Sequence, residues 1–508
     1  MAFPELSTST ALLSAADADV LVLALPPLDD AADALADWPG LRSVLEGVGF
    51  SGSPGGTVRV HVPEATPLPL FVVGTGSAPD AATLREAVGA AVRTTTGFAR
   101  LAVAAPAVAD DSNTADAALW SAAAEGALLG GYRFDDYKKN AGAARADVVT
   151  LHWPAEPAPA AVARAVAVAS AVALVKDLVH TPAQWLGPQD VADAALVSLE
   201  GLPVEVEVFD EHALEEQGFG GILGIGQGSD RPPRLVHLDY APEGATAHVA
   251  LVGKGITFDT GGLSLKPPAG MVGMKFDMAG AASVLAVVRA AAVLGVPARV
   301  SGWLCLAENM PSGRALRPGD VVRIADGTSV EVLNTDAEGR VVLADGIVAA
   351  SRTSPDLIVD IATLTGAIIV ALGHRHTGVM GDDEAVADYL EAAAGAGEPA
   401  WHLPLPAHME DELDSPIADL QNAKIGDTSG GSLFAGLFLQ RFVGRTGEDA
   451  DAPRIPWVHL DIAGSGTAKS AFGATEKGPT AATVRTLIDL VESRAAEPGA
   501  RAGAEGTR

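Results

Sequence analysis

Only one cysteine, Cys305, occurs in 508 residues, so no internal disulfide can form, a usage that fits a reducing cytosol. It lies in the strand-like run SGWLCLAEN, where a buried structural cysteine is a better reading than a nucleophile. Aromatics are scarce at 5%, although hydrophobic residues reach 48%. The core must therefore be built largely from small aliphatic side chains, which lets helices and sheets approach closely. Positive charge is short as well: 34 Lys and Arg against 64 Asp and Glu leave a formal net charge of −30. That field repels DNA, RNA and anionic lipid, so neither nucleic acid nor a membrane surface is the expected partner. No basic residue precedes Arg42, which argues against a secretory signal, and no uncharged apolar run approaches membrane-spanning length. A cytoplasmic location is the expectation.

What the chain does have is alternation. Its length exceeds one ordinary core, and two domains are expected. DVLVLALPP and LPLFVVGTG read as buried strands ended by Pro or Gly, and DAATLREAVGAAVRTT as a helix, so residues 1–153 form an N-terminal α/β domain. Pro154, Pro157 and Pro159 then lead into an Ala/Val helix stopped by Pro182, which makes 154–182 a linker helix. Residues 183–493 alternate again: VEVEVFD, TAHVALVGKGI, ARVSGWLCLAEN, SVEVLN, PDLIVDIATL and PWVHLDIAG are strands, with helical stretches such as AGAASVLAVVRAAAVLG between some of them. Continuous apolar strands with helical crossovers predict a mainly parallel or mixed sheet flanked by helices in this larger C-terminal domain, with its site at the carboxyl ends of strands. The tail, 494–508, lacks apolar periodicity and is expected to be disordered.

The heptapeptide NTDAEGR, Asn334 to Arg340, places three charges between two apolar runs. If the chain stays extended after SVEVLN, Asp336, Glu338 and Arg340 share one face where a strand gives way to a helix. A plainer reading is open: Asp336 caps the helix and Glu338 pairs with Arg340 at the surface. A second segment, VGKGITFDTGGLSLKPPAGMVGMKFDMAGAA, carries Lys254, Asp259, Lys266 and Asp277 through Gly-rich chain that can turn sharply and crowd a ligand. Here too Asp277 can be a cap, and Lys254 can point to water. Together, however, Asp259, Asp277, Asp336 and Glu338 at the strand ends of one sheet repel one another unless cations sit among them. Bridging carboxylates that hold two divalent metals are a recurring arrangement for hydrolysis.

The heptapeptide with this Lys/Asp/Lys/Asp series resembles the signature of the leucyl aminopeptidase family, the M17 cytosol aminopeptidases. LVHTPAQWLGP, GIGQGSDRPPRL, AENMPSGRALRPGDVV, DIATLTGA, GGSLFAGLFLQRFV and WVHLDIAG are similar to family segments in family order, and EGALLGGYRFDDYK resembles part of the family's first domain. The resemblance implies that 183–493 is the catalytic metallopeptidase domain. It implies two divalent ions, zinc or manganese, with Asp259 and Glu338 bridging them, Lys254 and Asp277 completing one shell and Asp336 the other. A lysine in such a shell is expected to be neutral. It further implies that the ions hold a peptide's free α-amino group and first carbonyl and activate a water, that Lys266 stabilises the oxyanion, and that Arg340 holds a bicarbonate that shuttles the proton. Met274, Thr363, Gly366 and Ala463 would line the pocket for a leucine-like first side chain. A homohexamer acting on peptides is the implied assembly. Val341 stands where the family usually has Leu, which should affect packing alone.

Other features carry less. His374 and His376 flank Arg375, a weak metal signal. GILGIGQG lacks the third glycine of a dinucleotide loop, Ser229 standing there, and reads better as a turn. His459 in VHLDIAG is expected to be structural. Neither a phosphate-binding GxxxxGK[ST] nor a GxSxG elbow is present. The competing functions are a DNA-binding regulator, which the charge opposes, and a two-metal phosphoesterase, which usually adds histidines that neither segment contains.

Overall fold

The computed structural model of the chain describes residues 3–105, 113–447, 449 and 451–496. It divides into two units, one formed by Met1–Ala173 with Lys469–Lys477, the other by Leu174–Ala468 and the chain from Gly478 onward. The boundary falls inside the helix Pro159–His180.

The first unit holds β1 (Glu5–Ser9), β2 (Val20–Leu25), β3 (Thr57–Val60), β4 (Leu70–Gly74), β5 (Arg100–Ala104) and β6 (Val148–His152) in the order β1-β6-β5-β2-β4-β3. Every neighbouring pair is parallel except β3 with β4. β2 and β4 are apolar and buried along their whole length, as strands covered on both faces must be.

The second unit is built on β7 (Glu205–Phe209), β8 (Arg234–Tyr240), β9 (His248–Asp259), β10 (Arg299–Asn309), β11 (Asp320–Arg323), β12 (Ser329–Val332), β13 (Leu357–Ala362), β14 (Thr377–Gly381), β15 (Ala400–His402), β16 (Leu420–Gln421) and β17 (Trp457–Asp461). Eight of these form one sheet, β15-β14-β17-β13-β9-β10-β8-β7. Its middle, β17-β13-β9-β10, is parallel, and antiparallel pairs flank it on both sides, so the sheet is mixed. Successive residues of β9 face opposite ways. The helix Ala279–Leu294 meets Gly253, whereas Gly346 of the helix Glu338–Ser351 meets Val252 and Cys305, so these helices cover opposite faces. At Gly280 a Cβ would lie 2.1 Å from the Ile361 carbonyl oxygen, which is why small residues open that helix.

Met274–Leu294 is long and apolar enough to cross a membrane by composition, but most of it is buried in the fold, as in a core helix. β12 does not join the large sheet. It pairs with β11 across the Asp326–Gly327 turn and with β16, a separate three-stranded sheet. GILGIGQG is not a turn: Gly220–Gly226 is a helix, and its glycines allow close packing, a Cβ at Gly220 lying 2.2 Å from the Arg323 carbonyl. The terminal helix Val484–Ala496 runs three residues past the expected start of the tail, and Arg494 in its last turn pairs with Asp388 at 2.6 Å. The remainder of the tail lies outside the described residues.

Candidate metal centre

β9 delivers two of the candidate residues. Lys254 sits within the strand and Asp259 ends it, both buried. After Asp259 the chain turns through Gly261 and Gly262, at φ of +85° and +63°. A side chain at Gly261 would come within 2.7 Å of Asp336 Oδ1, so glycine is needed for conformation and for space. This turn returns Lys266 to Asp259, with its Nζ 2.7 Å from Oδ2. Asp277 lies on the 3₁₀ turn Met274–Met278 ahead of the core helix and does not cap it.

Asp336 and Glu338 converge with Asp259, but not by the expected route. The chain is not extended through Glu338: it bends after β12, and Glu338 is the first residue of the helix Glu338–Ser351. Nor do the four carboxylates sit at strand ends of one sheet; only Asp259 ends a strand of the large sheet, because the four residues of β12 find their partners elsewhere. The bend still brings oxygens of Asp259, Asp336 and Glu338 within 4.8 Å of one another. The plainer readings fail as well. Ala337, not Asp336, is the N-cap, and Glu338 and Arg340 are only 2% and 9% exposed.

Lys254 Nζ donates to Asp277 Oδ1 at 2.9 Å and to the Thr363 carbonyl at 3.1 Å, and lies 2.8 Å from Glu338 Oε1. Lys266 also contacts Asp336. Burial disfavours both ammonium groups, but the surrounding carboxylates outweigh it and hold both pKa values above the ordinary lysine range. The expectation of a neutral Lys254 thus differs from this arrangement, in which the lysines are the counter-charges; neutrality requires additional positive charge among the carboxylates. Burial, then the nearby Glu338, pushes Asp259 up to about 6. Asp277 is driven up mainly by burial, and Asp336 likewise. Glu338 ends below its usual value, because Lys254 and Lys266 overcome its burial. With all four carboxylates ionised, the two ammonium groups leave a formal charge of −4 + 2 = −2, the excess that favours protonating Asp259, Asp277 and Asp336. Glu338 Oε2 is buried and accepts no hydrogen bond. A buried, unsatisfied carboxylate oxygen in an under-neutralised oxygen cluster is the donor set a hard divalent cation requires.

Arg340 is buried beside a cavity of about 830 Å³ that Asp336, Leu364, Gly366 and Phe434 also line. Burial pushes its guanidinium down to about 10. Its Nη1 donates to the Asn422 carbonyl at 2.8 Å, its Cζ lies 5.4 Å from the Phe434 ring centre, and its Nε donates no hydrogen bond. Of the other candidate pocket residues, Thr363 donates to Asp277 Oδ1 at 2.7 Å, Ala463 is buried beside Asp461, and Met274 lies on the turn that carries Asp277. His374 and His376 are exposed in a turn and join no metal-competent group among the described residues. His459 is buried and bonded through Nδ1 to Asp360 at 2.6 Å.

Several supporting residues escaped the sequence reading. Asn309, at the end of β10, donates to Asp259 Oδ1 at 2.9 Å and to the Thr335 carbonyl at 3.0 Å. Asp461, at the end of β17, accepts from the backbone N–H groups of Leu364 and Ala463 at 3.2 Å each and from the Thr365 hydroxyl at 2.6 Å. The signal available for both was their position at carboxyl ends of parallel strands.

Residues 173–488 match the model of the cytosol aminopeptidase family catalytic domain, and residues 22–141 that of its N-terminal domain. The chain is a member of the cytosol aminopeptidase family. It is accordingly an aminopeptidase, a hydrolase acting on peptides. It is 52% identical to a probable cytosol aminopeptidase of Clavibacter michiganensis over 96% of this chain and 99% of that one. A counterpart from Leifsonia xyli is 51% identical, over 96% and 98%. Among solved structures, the bottromycin maturation enzyme BotP in complex with Mn superposes with a TM-score of 0.83 at 39% identity, covering 94% of this chain and all of the other. A tomato leucine aminopeptidase variant gives 0.85 at 27%, with 96% of each chain covered. Both parts of this aminopeptidase are thus accounted for, the larger C-terminal one being catalytic.

Proposed function

We propose that this aminopeptidase releases the N-terminal residue, preferably leucine or another apolar residue, from peptides, and that Lys254, Asp259, Asp277, Asp336 and Glu338 hold two divalent ions, zinc or manganese. The observation that carries the reading is the approach of the Asp259, Asp336 and Glu338 oxygens within 4.8 Å of one another. The similar enzyme BotP, solved in complex with Mn, supports it, and so does the oxygen-rich donor set. When bound, such ions polarise a carbonyl and make water acidic enough to attack near neutral pH.

The chain's own residues then divide the work. Asp259 and Glu338 would be shared between the two ions, Lys254 and Asp277 would help hold one, and Asp336 would help hold the other. Lys266, at 16% side-chain exposure the more accessible of the two lysines, is the donor for the oxyanion that develops on the scissile carbonyl. Arg340, which lines the cavity and has a free Nε–H, would hold an anion, bicarbonate in our reading, and such an anion would supply a path for the proton to the leaving amine. Met274, Thr363, Gly366 and Ala463 receive the first side chain. A free α-amino group is required, which restricts cleavage to the peptide's end. The working assembly we infer is a cytoplasmic homohexamer, a state light scattering reads directly.

The test is chelation, reconstitution with Zn²⁺ or Mn²⁺ alone, and a dipeptide panel. Activity should vanish on chelation and return with one of the ions. Leu-X should outrun Gly-X, and N-acetylated dipeptides should be inert. Full activity in the chelated protein, or in folded Lys266→Ala and Glu338→Ala variants, would remove the assignment.

A further inference from the structure

Asn422 lies 82 residues beyond Arg340 in the chain and is fully buried. It follows β16, whose Gln421 pairs with Glu331 of β12, and its own N–H continues that ladder to the Glu331 carbonyl at 3.0 Å. This register carries its side chain over the bend that follows β12. There Oδ1 accepts from the Leu333 and Asn334 N–H groups at 2.9 and 3.2 Å, and Nδ2 donates to the Asn334 and Ala337 carbonyls at 2.8 and 3.3 Å. A carboxamide has two donor hydrogens and two acceptor lone pairs, and all four are spent on this bend. Its backbone carbonyl takes the Arg340 guanidinium.

The bend is irregular and enclosed, so its backbone groups have no ladder of their own and must find partners. One side chain supplies four of them. We infer that Asn422 is a positioning residue of the metal centre: its amide fixes the bend from which Asp336 and Glu338 project, and so sets the spacing of those carboxylates to Asp259. This rests on the proposed metal-binding role of the three carboxylates. The anchor of Arg340 is a backbone carbonyl, so it survives a change of side chain.

The experiment uses the full chain, stripped with chelator, and Mn²⁺ as probe. Asn422→Asp keeps the shape but turns both donors into acceptors that face two carbonyls. Calorimetric titration at 25 °C should show Mn²⁺ affinity reduced about 10- to 100-fold, the range found when groups that orient metal ligands are removed. Activity lost at limiting Mn²⁺ should be recovered at saturation. A purely structural role would lower the melting temperature and leave the Mn²⁺ affinity of the folded protein unmoved. A loss of affinity under about fivefold therefore overturns the inference. If Asn422→Asp does not fold, Asn422→Ser carries the same measurement and the same threshold. If the unmodified chain takes up no Mn²⁺, the metal reading itself falls, and the positioning role falls with it.

Discussion

At Gly339 the centre has no room for even a methyl group. A Cβ there would stand 2.5 Å from Lys254 Cε and 2.7 Å from its Nζ. The lysine stem can yield, but only by carrying its ammonium away from Asp277 and Glu338. Gly339→Ala gains about 1 kcal/mol of helix propensity, which offsets the cost of that shift. Its melting temperature should therefore stay near that of the unmodified protein, while kcat/KM falls about 100-fold, as misplacement of a catalytic site by an ångström does. An unchanged kcat/KM would mean that the position of Lys254 is immaterial. At this scale the sequence was informative where chemistry is local: the charges of NTDAEGR and of the Lys254–Asp277 segment have no plain explanation side by side. Asn309 and Asp461 offered only their places at strand ends, and Asn422 was not legible, because its amide gains meaning only from backbone groups 85 to 89 residues away in the chain.

The helix Glu338–Ser351 links the centre to its support. Two turns into it, Asp345 is fully buried, and its carboxylate accepts from the Ile222 N–H at 2.8 Å and the Ala325 N–H at 2.9 Å. It thus ties this helix to the helix Gly220–Gly226 and to the end of the β11 hairpin strand. Burial pushes Asp345 up to about 7 from an ordinary value of 3.8, against the pull of those N–H groups. Between these values the folded chain keeps a proton that the unfolded chain has released. The associated stability is complete below the unfolded value and is lost as pH rises through the folded one. Asp345→Asn cannot titrate. The melting temperature of the unmodified protein should therefore fall relative to that of the variant between about pH 4 and about pH 7, and the difference should level off above that. Parallel curves would show that Asp345 is ionised in the folded chain across this range and that burial does not raise its pKa. Elements were legible where apolar runs were long, as in β9, β10 and β13. The bend before Glu338 and the separate sheet of β11, β12 and β16 were not, since a four-residue strand gives no sign of which distant segment will pair with it.

For the whole molecule, the formal charge of −30 and the local charge of the centre make separable demands on stability. Self-repulsion of the surface is spread over the chain and is screened by any salt, with a Debye length of about 10 Å at 0.1 M. Two divalent ions would change the net charge only from −30 to −30 + 4 = −26, so charge reduction alone does little. Specific occupancy acts differently: an ion at 100 times its dissociation constant adds about 2.7 kcal/mol to the state that binds it. Every proposed ligand lies in the second unit, between Lys254 and Glu338. Hydrogen exchange distinguishes the two effects. With Mn²⁺, protection should rise in peptides spanning residues 248–279 and 333–340 and stay level in residues 3–105 of the first unit. NaCl at matched ionic strength should not reproduce that pattern. If it does, or if Mn²⁺ protects both units alike, the stabilisation comes from screening of the acidic surface and the carboxylate cluster holds no ion of its own.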